Sequence, residues 1–205
     1  QITLYFSKYY RYIRMQSVAH KKHELVLMVK TGLLAGLVGG FAISTSFFWI
    51  DSDIGVAPGT FYNMIGVVVG LHEMPAILFG FFVHMITAAV IGVVFCMASL
   101  LHNYLRIDGI SKGIVAGIIT GIEVYAIFFL PITMFVIIPA AQDYTIGLHG
   151  VVFSDEVYVM LQSPEKILWG SLILHIIYGI IMGLFSSMLL YEKYHPIKKQ
   201  GTNVI

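Results

Sequence analysis

The sequence predicts an all-α integral membrane protein: four transmembrane helices arranged as a tandem two-helix repeat, an N-terminal interfacial helix and short outer-side helices. Three observations carry that reading. The chain of 205 residues is 58% hydrophobic and 11% charged, with a mean hydropathy of +0.86, far outside the composition of soluble domains. Four apolar stretches, 31–50, 76–101, 113–139 and 167–190, reach the about 20 residues needed to cross a hydrocarbon core. The third observation is internal echo. Gly32-Leu-Leu-Ala-Gly-Leu-Val-Gly-Gly40 returns as Gly113-Ile-Val-Ala-Gly-Ile-Ile-Thr-Gly121, and His84-Met-Ile-Thr-Ala-Ala-Val-Ile-Gly92 returns as His175-Ile-Ile-Tyr-Gly-Ile-Ile-Met-Gly183.

Residues 1–29 form a basic-aromatic arm in which Tyr5, Phe6, Tyr9, Tyr10, Tyr12 and Ile13 alternate with Lys8, Arg11 and Arg14. Such composition suits a helix lying in the headgroup layer, either as a lipid or partner contact or simply as a topology anchor. Its basic region is too long for a signal peptide and carries no small-residue cleavage site. Residues 30–101 make the first two-helix repeat. Its spans are joined by 51–75, where Pro58-Gly59-Thr60 marks a turn, Thr60 is a candidate helix cap, and 61–71 is an apolar half-span. That half-span reads as a short interfacial helix, or more sharply as a re-entrant loop shielded from lipid.

A short connection, 102–112, leads to the second repeat, 113–190. Its first span contains Pro131 and Pro139; Pro131 lacks an N–H to donate and is expected to kink or widen the outer third of the helix. In the following connection Ser154 precedes Asp155-Glu-Val-Tyr-Val-Met-Leu161, acidic in its first turn as a helix start prefers. Residues 191–205 form a basic tail.

Charge orients the chain. Lys8, Arg11, Arg14, Lys21, Lys22 and Lys30 precede the first span, Arg106 and Lys112 separate the second and third, and Lys193, Lys198 and Lys199 follow the fourth. Only Lys166 falls on the opposite face, together with Asp51, Asp53, Asp143, Asp155, Glu156 and Glu165. The positive-inside rule then places both termini, and the 102–112 connection, in the cytoplasm of a multi-pass plasma-membrane protein. An even number of spans per repeat gives the halves one orientation, hence a pseudo-twofold axis along the membrane normal. Helix packing is assigned to Gly32, Gly36, Gly40 and Gly92 with Ala88 in one half, and to Gly113, Gly117, Gly121, Gly179 and Gly183 in the other. Small residues four apart let helix backbones approach closely within lipid.

Ionisable side chains inside a bilayer are costly unless paired, so His84, Glu123 and His175 are candidate site residues. Counting a rise of about 1.5 Å per residue puts all three within about one turn of the same depth. Two imidazoles and a carboxylate suit a transition metal. His84 and His175 alone suit haem b ligation across the pseudo-twofold axis. The same groups suit proton or ion movement, or interhelical hydrogen bonds with no ligand. His72, Glu73 and His149 form a candidate outer-face polar site, to which Met64 or Met74 would add soft copper ligands; interfacial polarity is the plainer reading. The lone Cys96 excludes a disulfide framework. Nucleophile–base pairs, P-loops, dinucleotide fingerprints and His-Glu-x-x-His spacing are all missing from the sequence, as are nucleic-acid-binding signatures.

In Gly32–Gly40, Leu71-His-Glu-Met-Pro75, Gly121-Ile-Glu-Val-Tyr125, size, span count and the aromatic basic arm, the chain resembles small membrane proteins of ammonia-oxidising archaea. The resemblance is to accessory subunits of archaeal ammonia monooxygenase. It implies a helical subunit beside a copper-dependent core, with the copper ligands on partner subunits and no catalytic residue in this chain. The expected role is therefore a non-catalytic accessory subunit of a hetero-oligomeric membrane enzyme complex, in contact with other integral membrane subunits and lipid. Two alternatives stand beside it: a small ion or metal transporter or channel using Glu123 and the intramembrane histidines, and a haem- or metal-binding electron carrier.

Overall fold

A computed structural model describes residues 2–139 and 154–195. Every element within them is helical. The helices are α1 (Ile2–Ile54), α2 (Thr60–Val68), α3 (Glu73–Ala98), α4 (Ile110–Ile137), α5 (Asp155–Leu161) and α6 (Pro164–Tyr194), with a 3-10 turn, Asn103–Leu105, before α4. Four of them, α1 from Lys21 onward, α3, α4 and α6, are long and apolar enough to cross a membrane. The helices outrun the apolar stretches at most ends because a helix continues through interfacial polar residues without penalty. The arm at 1–29 and the first span share one helix, with no break at Lys30.

Two glycine contacts organise the bundle. Between α1 and α3, Gly32 lies against Gly92 and Gly36 against Ala88, with Gly40 beside the Ala88 side chain. Between α4 and α6, Gly113 lies against Gly183, Gly117 against Gly179 and Gly121 against the His175 backbone. A methyl group added at Gly36, Gly92, Gly117 or Gly179 would overlap a backbone carbonyl of the facing helix. Lipid tails are as apolar as leucine, so such contacts hold through dispersion at close range rather than through the hydrophobic effect.

The pairs join through α1 and α6, each 44% buried within the protein over its most apolar window against 22% for α3 and α4. Gly39 meets the Tyr178 ring, and Gly170 meets the Ile50 side chain. The Tyr178 hydroxyl crosses to α3 and donates to the Ala88 carbonyl at 2.7 Å. The buried Cys96 thiol lies 3.4 Å from the Ser186 hydroxyl. Ion pairs mark the two ends of the α1–α6 contact, Lys193–Glu24 at 2.5 Å and Lys166–Asp53 at 2.9 Å. The second is solvent-accessible and contributes at most about 1 kcal/mol.

Proline reshapes α4 as its chemistry requires. The helix is regular over Ile110–Val124, then passes through π-helical turns at Tyr125–Phe129 and Thr133–Ile137 on either side of Pro131. The Leu130 N–H reaches back five residues to the Tyr125 carbonyl, and the Ile138 N–H likewise to Thr133. Widening, with the hydrogen bonds re-registered, is how this helix absorbs a residue that cannot donate.

The connection 55–72 folds into the short helix α2 rather than a loop. Gly66 lies against Ala76, and Gly80 lies against the Tyr62 carbonyl, so α2 docks on the first half of α3. Gly55, at φ 89°, closes α1, with the Gly55 and Val56 N–H groups both donating to the Asp51 carbonyl. Gly70, at φ 86°, closes α2 with the Leu71 N–H donating to Gly66 and the Gly70 N–H to Val67. Both are left-handed positions where glycine avoids the strain a side chain would meet. Ser154 stands at the N-cap position of α5, whose first turn holds Asp155 and Glu156.

Gly117→Leu is expected to destabilise the protein by about 1–3 kcal/mol or more, through overpacking against α6. Gly109→Ala, at an extended residue with nothing within 4 Å of the added carbon, is expected to leave stability near wild type. Thermal unfolding of both in mild detergent checks this; equal stability would mean that close α4–α6 approach is not what holds the pair.

Candidate functional site

A cavity of about 180 Å³ lies between the two helix pairs, walled by α1, α2, α3, α4 and α6. Its lining is largely aliphatic and aromatic, with His84, Thr87, Thr133, His175 and Tyr178 as the polar exceptions. Both candidate histidines are therefore brought to one space. His84 stands four residues before Ala88, and His175 four before Gly179. One helical turn from the closest interhelical contact, each ring has to point along the packed face of its helix.

The two imidazoles are held differently. The His84 ring stands edge-on to Phe47, with centroids 5.5 Å apart, and to Tyr62 at 5.9 Å; its Nε2 is buried without a hydrogen-bond partner. His175 is buried, and its Nδ1 lies 2.7 Å from the Ser171 carbonyl one turn back. Only a protonated Nδ1 can bond a carbonyl, so the neutral ring carries its lone pair on Nε2. That ring packs on Phe129 at 5.5 Å and Tyr125 at 5.8 Å, and the Tyr125 hydroxyl is tied to the Leu168 carbonyl at 3.1 Å. Thr133 is only 3% exposed, and its hydroxyl too has no partner. It lies on the second π-helical turn, between the main cavity and a void of about 20 Å³.

Glu123 does not join them. It is exposed on α4 and forms no part of the cavity lining. The depth estimate brings it level with the histidines, but the helical angle takes it away: two residues past the packed Gly121, it lies about 200° around the helix. The expected His84–Glu123–His175 cluster is thus not assembled, and among the described residues no group of three His, Cys, Asp or Glu side chains could hold a metal ion. Two imidazoles fall short of the three protein ligands of a catalytic zinc site.

The outer-face candidates do not converge on one site either. His72 and Glu73 are exposed at the start of α3, where Glu73 adopts φ 53°, while His149 lies outside the described residues. Met74 is 60% exposed, but Met64 is core at 1% and lines the cavity. The two methionines therefore make no shared soft-ligand patch.

One structural residue escaped the sequence reading. Asp51, counted there only as outer-face charge, is fully buried. Its carboxylate accepts the Gly59 N–H at 2.7 Å and the Phe61 N–H at 3.2 Å. From the last turn of α1 it thus caps α2, the role assigned to Thr60, whose hydroxyl instead donates to the Ala57 carbonyl at 2.7 Å. The available signal was its position, an acid in a helix end followed by the turn residues Gly55, Pro58 and Gly59.

No family model matches the chain, and neither a curated protein nor a solved structure matches it.

Asp51→Ala leaves two buried N–H groups unpaired and is expected to cost about 1–3 kcal/mol for each. Asp51→Asn keeps one acceptor oxygen and should recover part of the loss. The readouts are the unfolding midpoint and the rate of limited proteolysis across residues 55–60, which is expected to rise in the alanine variant first.

Proposed function

We propose that this chain is a non-catalytic accessory subunit of a multi-subunit membrane enzyme complex, with both termini cytoplasmic. One observation carries the proposal: Glu123 sits near the middle of α4 and faces outward. An acidic side chain at mid-bilayer costs about 3 kcal/mol, and such residues normally face other protein or water. The ion pairs among the described residues are Lys112–Asp108, Lys166–Asp53 and Lys193–Glu24, so no cation among those residues offsets that cost for Glu123. A helix of another subunit, offering a cation or a hydrogen-bond donor at that depth, meets the need. The same exposure argues against the transport reading, which requires the carboxylate to face an internal path.

Two finer elements belong to this proposal. The helix pairs descend from one duplicated unit, supported by the matching register of Ala88 and Gly92 against α1 and of Gly179 and Gly183 against α4. The host complex is of the copper-dependent ammonia monooxygenase class, supported by the sequence resemblance, with copper held by partner subunits.

Native separation of source membranes in mild detergent, with mass spectrometry of the band containing this chain, tests the subunit role. Co-migration with the large subunits of a membrane monooxygenase or oxidase is the expected result. Glu123→Lys is expected to deplete that band severalfold while the variant still inserts and folds. Migration alone, near the size of a monomer or dimer, would overturn the proposal.

A further inference from the structure

The cavity between the helix pairs has three features that belong together. It is large enough for one ring: a cavity of about 150 Å³ takes up benzene, and this one measures about 180 Å³. Two of its lining residues, His84 and Thr133, carry side-chain atoms with nothing to bond, Nε2 and Oγ1, but both atoms are packed beneath the wall surface. It also contains His175, whose Nδ1 is committed to Ser171, leaving Nε2 as an acceptor. Tyr178 adds no free donor, because its hydroxyl is spent on Ala88.

Water is a poor occupant for this space. The volume would take about six molecules at ~30 Å³ each, and each buried water needs two to four polar partners. The walls offer mainly hydrocarbon, from residues such as Ile43, Phe47, Ile91 and Phe129. A bare hydrocarbon suits the walls but leaves the His175 Nε2 lone pair unpaired, and an unpaired buried polar group is destabilising. A charged molecule finds no counter-charge among the lining residues. What remains is an uncharged ring-sized molecule with a hydrogen-bond donor.

Access is lateral. Thr87 on α3 and Phe128 and Ile132 on α4 line the cavity and are also exposed, the last two at 52% and 50%. The mouth therefore opens between α3 and α4 at membrane depth, where an uncharged aromatic molecule concentrates.

We propose that this cavity is a binding site for a small uncharged phenol-like molecule, one ring bearing a hydroxyl, that enters from the lipid and donates a hydrogen bond to His175 Nε2. The site is independent of the subunit role and stands whether or not the chain has partners. The ring is either a free membrane-soluble molecule or the ring end of a larger lipid.

Fluorine NMR of the full chain in mild detergent, with 4-fluorophenol and fluorobenzene as probes, tests it. Fluorophenol is expected to bind about tenfold more tightly than fluorobenzene, the margin of one hydrogen bond to an otherwise unpaired buried group. His175→Phe is expected to erase most of that margin, and Thr133→Val to leave it in place. Ile132→Trp, at the exposed mouth and outside the packed interior, is expected to block both probes without lowering the unfolding midpoint, so loss of binding cannot be laid to misfolding. Organic extraction of the freshly purified protein separates the sources: a ring-bearing lipid released by fluorophenol marks the lipid end, and binding with nothing released marks the free molecule. Equal affinity for the two probes, or binding indifferent to Ile132→Trp, would overturn the assignment, as would no binding of either probe to protein with nothing to extract.

Discussion

Contact between helix backbones, at Gly36 on Ala88 and at Gly117 on Gly179, is the constraint on which the rest of this molecule depends. In a bilayer there is little hydrophobic gain from burying leucine against leucine, so adhesion comes from surfaces that fit closely. Each glycine contact fixes both the distance and the rotation of its helix pair. Rotation is what decides chemistry: it turns His84 and His175 inward and leaves Glu123 outside. The cavity arises where the close contacts stop, as α4 widens through its π-helical turns and ring side chains replace glycines in the interior.

Much of this was legible in the sequence because the signals were periodic and local. Four apolar runs gave four spans, the spacing of Gly113, Gly117 and Gly121 gave a packing face, and Pro131 gave a disturbed helix. The pairing of Gly117 with Gly179 follows from the same spacing on two consecutive spans. Glu123 shows where such reasoning ends. Its depth follows from a count of residues, but its direction depends on which face α4 packs, and Gly121 already held that information two positions away.

Asp51 illustrates a different limit. A carboxylate near a membrane surface needs no explanation, so nothing marked it as a cap for a helix whose N-cap residue, Gly59, lies eight residues downstream. The capping rule looks immediately before a helix, where Thr60 stood ready. The chain instead folds back, with Gly55 reversing it and Gly59 at φ 97° bringing α2 under the end of α1. The acid is then in reach, and it removes the need for Thr60 to cap. Long-range capping of this kind follows from tertiary geometry and has no local pattern to find.

The two glycine contacts also separate what is near along the chain from what is distant. Each joins helices that are consecutive spans, the first complete by Gly92 and the second by Gly183. The contacts that join the halves are far more distant in the chain; Lys193 finds Glu24 across 169 residues. A growing chain can therefore close the α1–α3 hairpin before α4 exists, and the α4–α6 hairpin before the two halves meet. The cavity has walls from both hairpins and does not exist in either one alone. It forms only where the two hairpins meet, so whatever fills it depends on their union and not on either one alone.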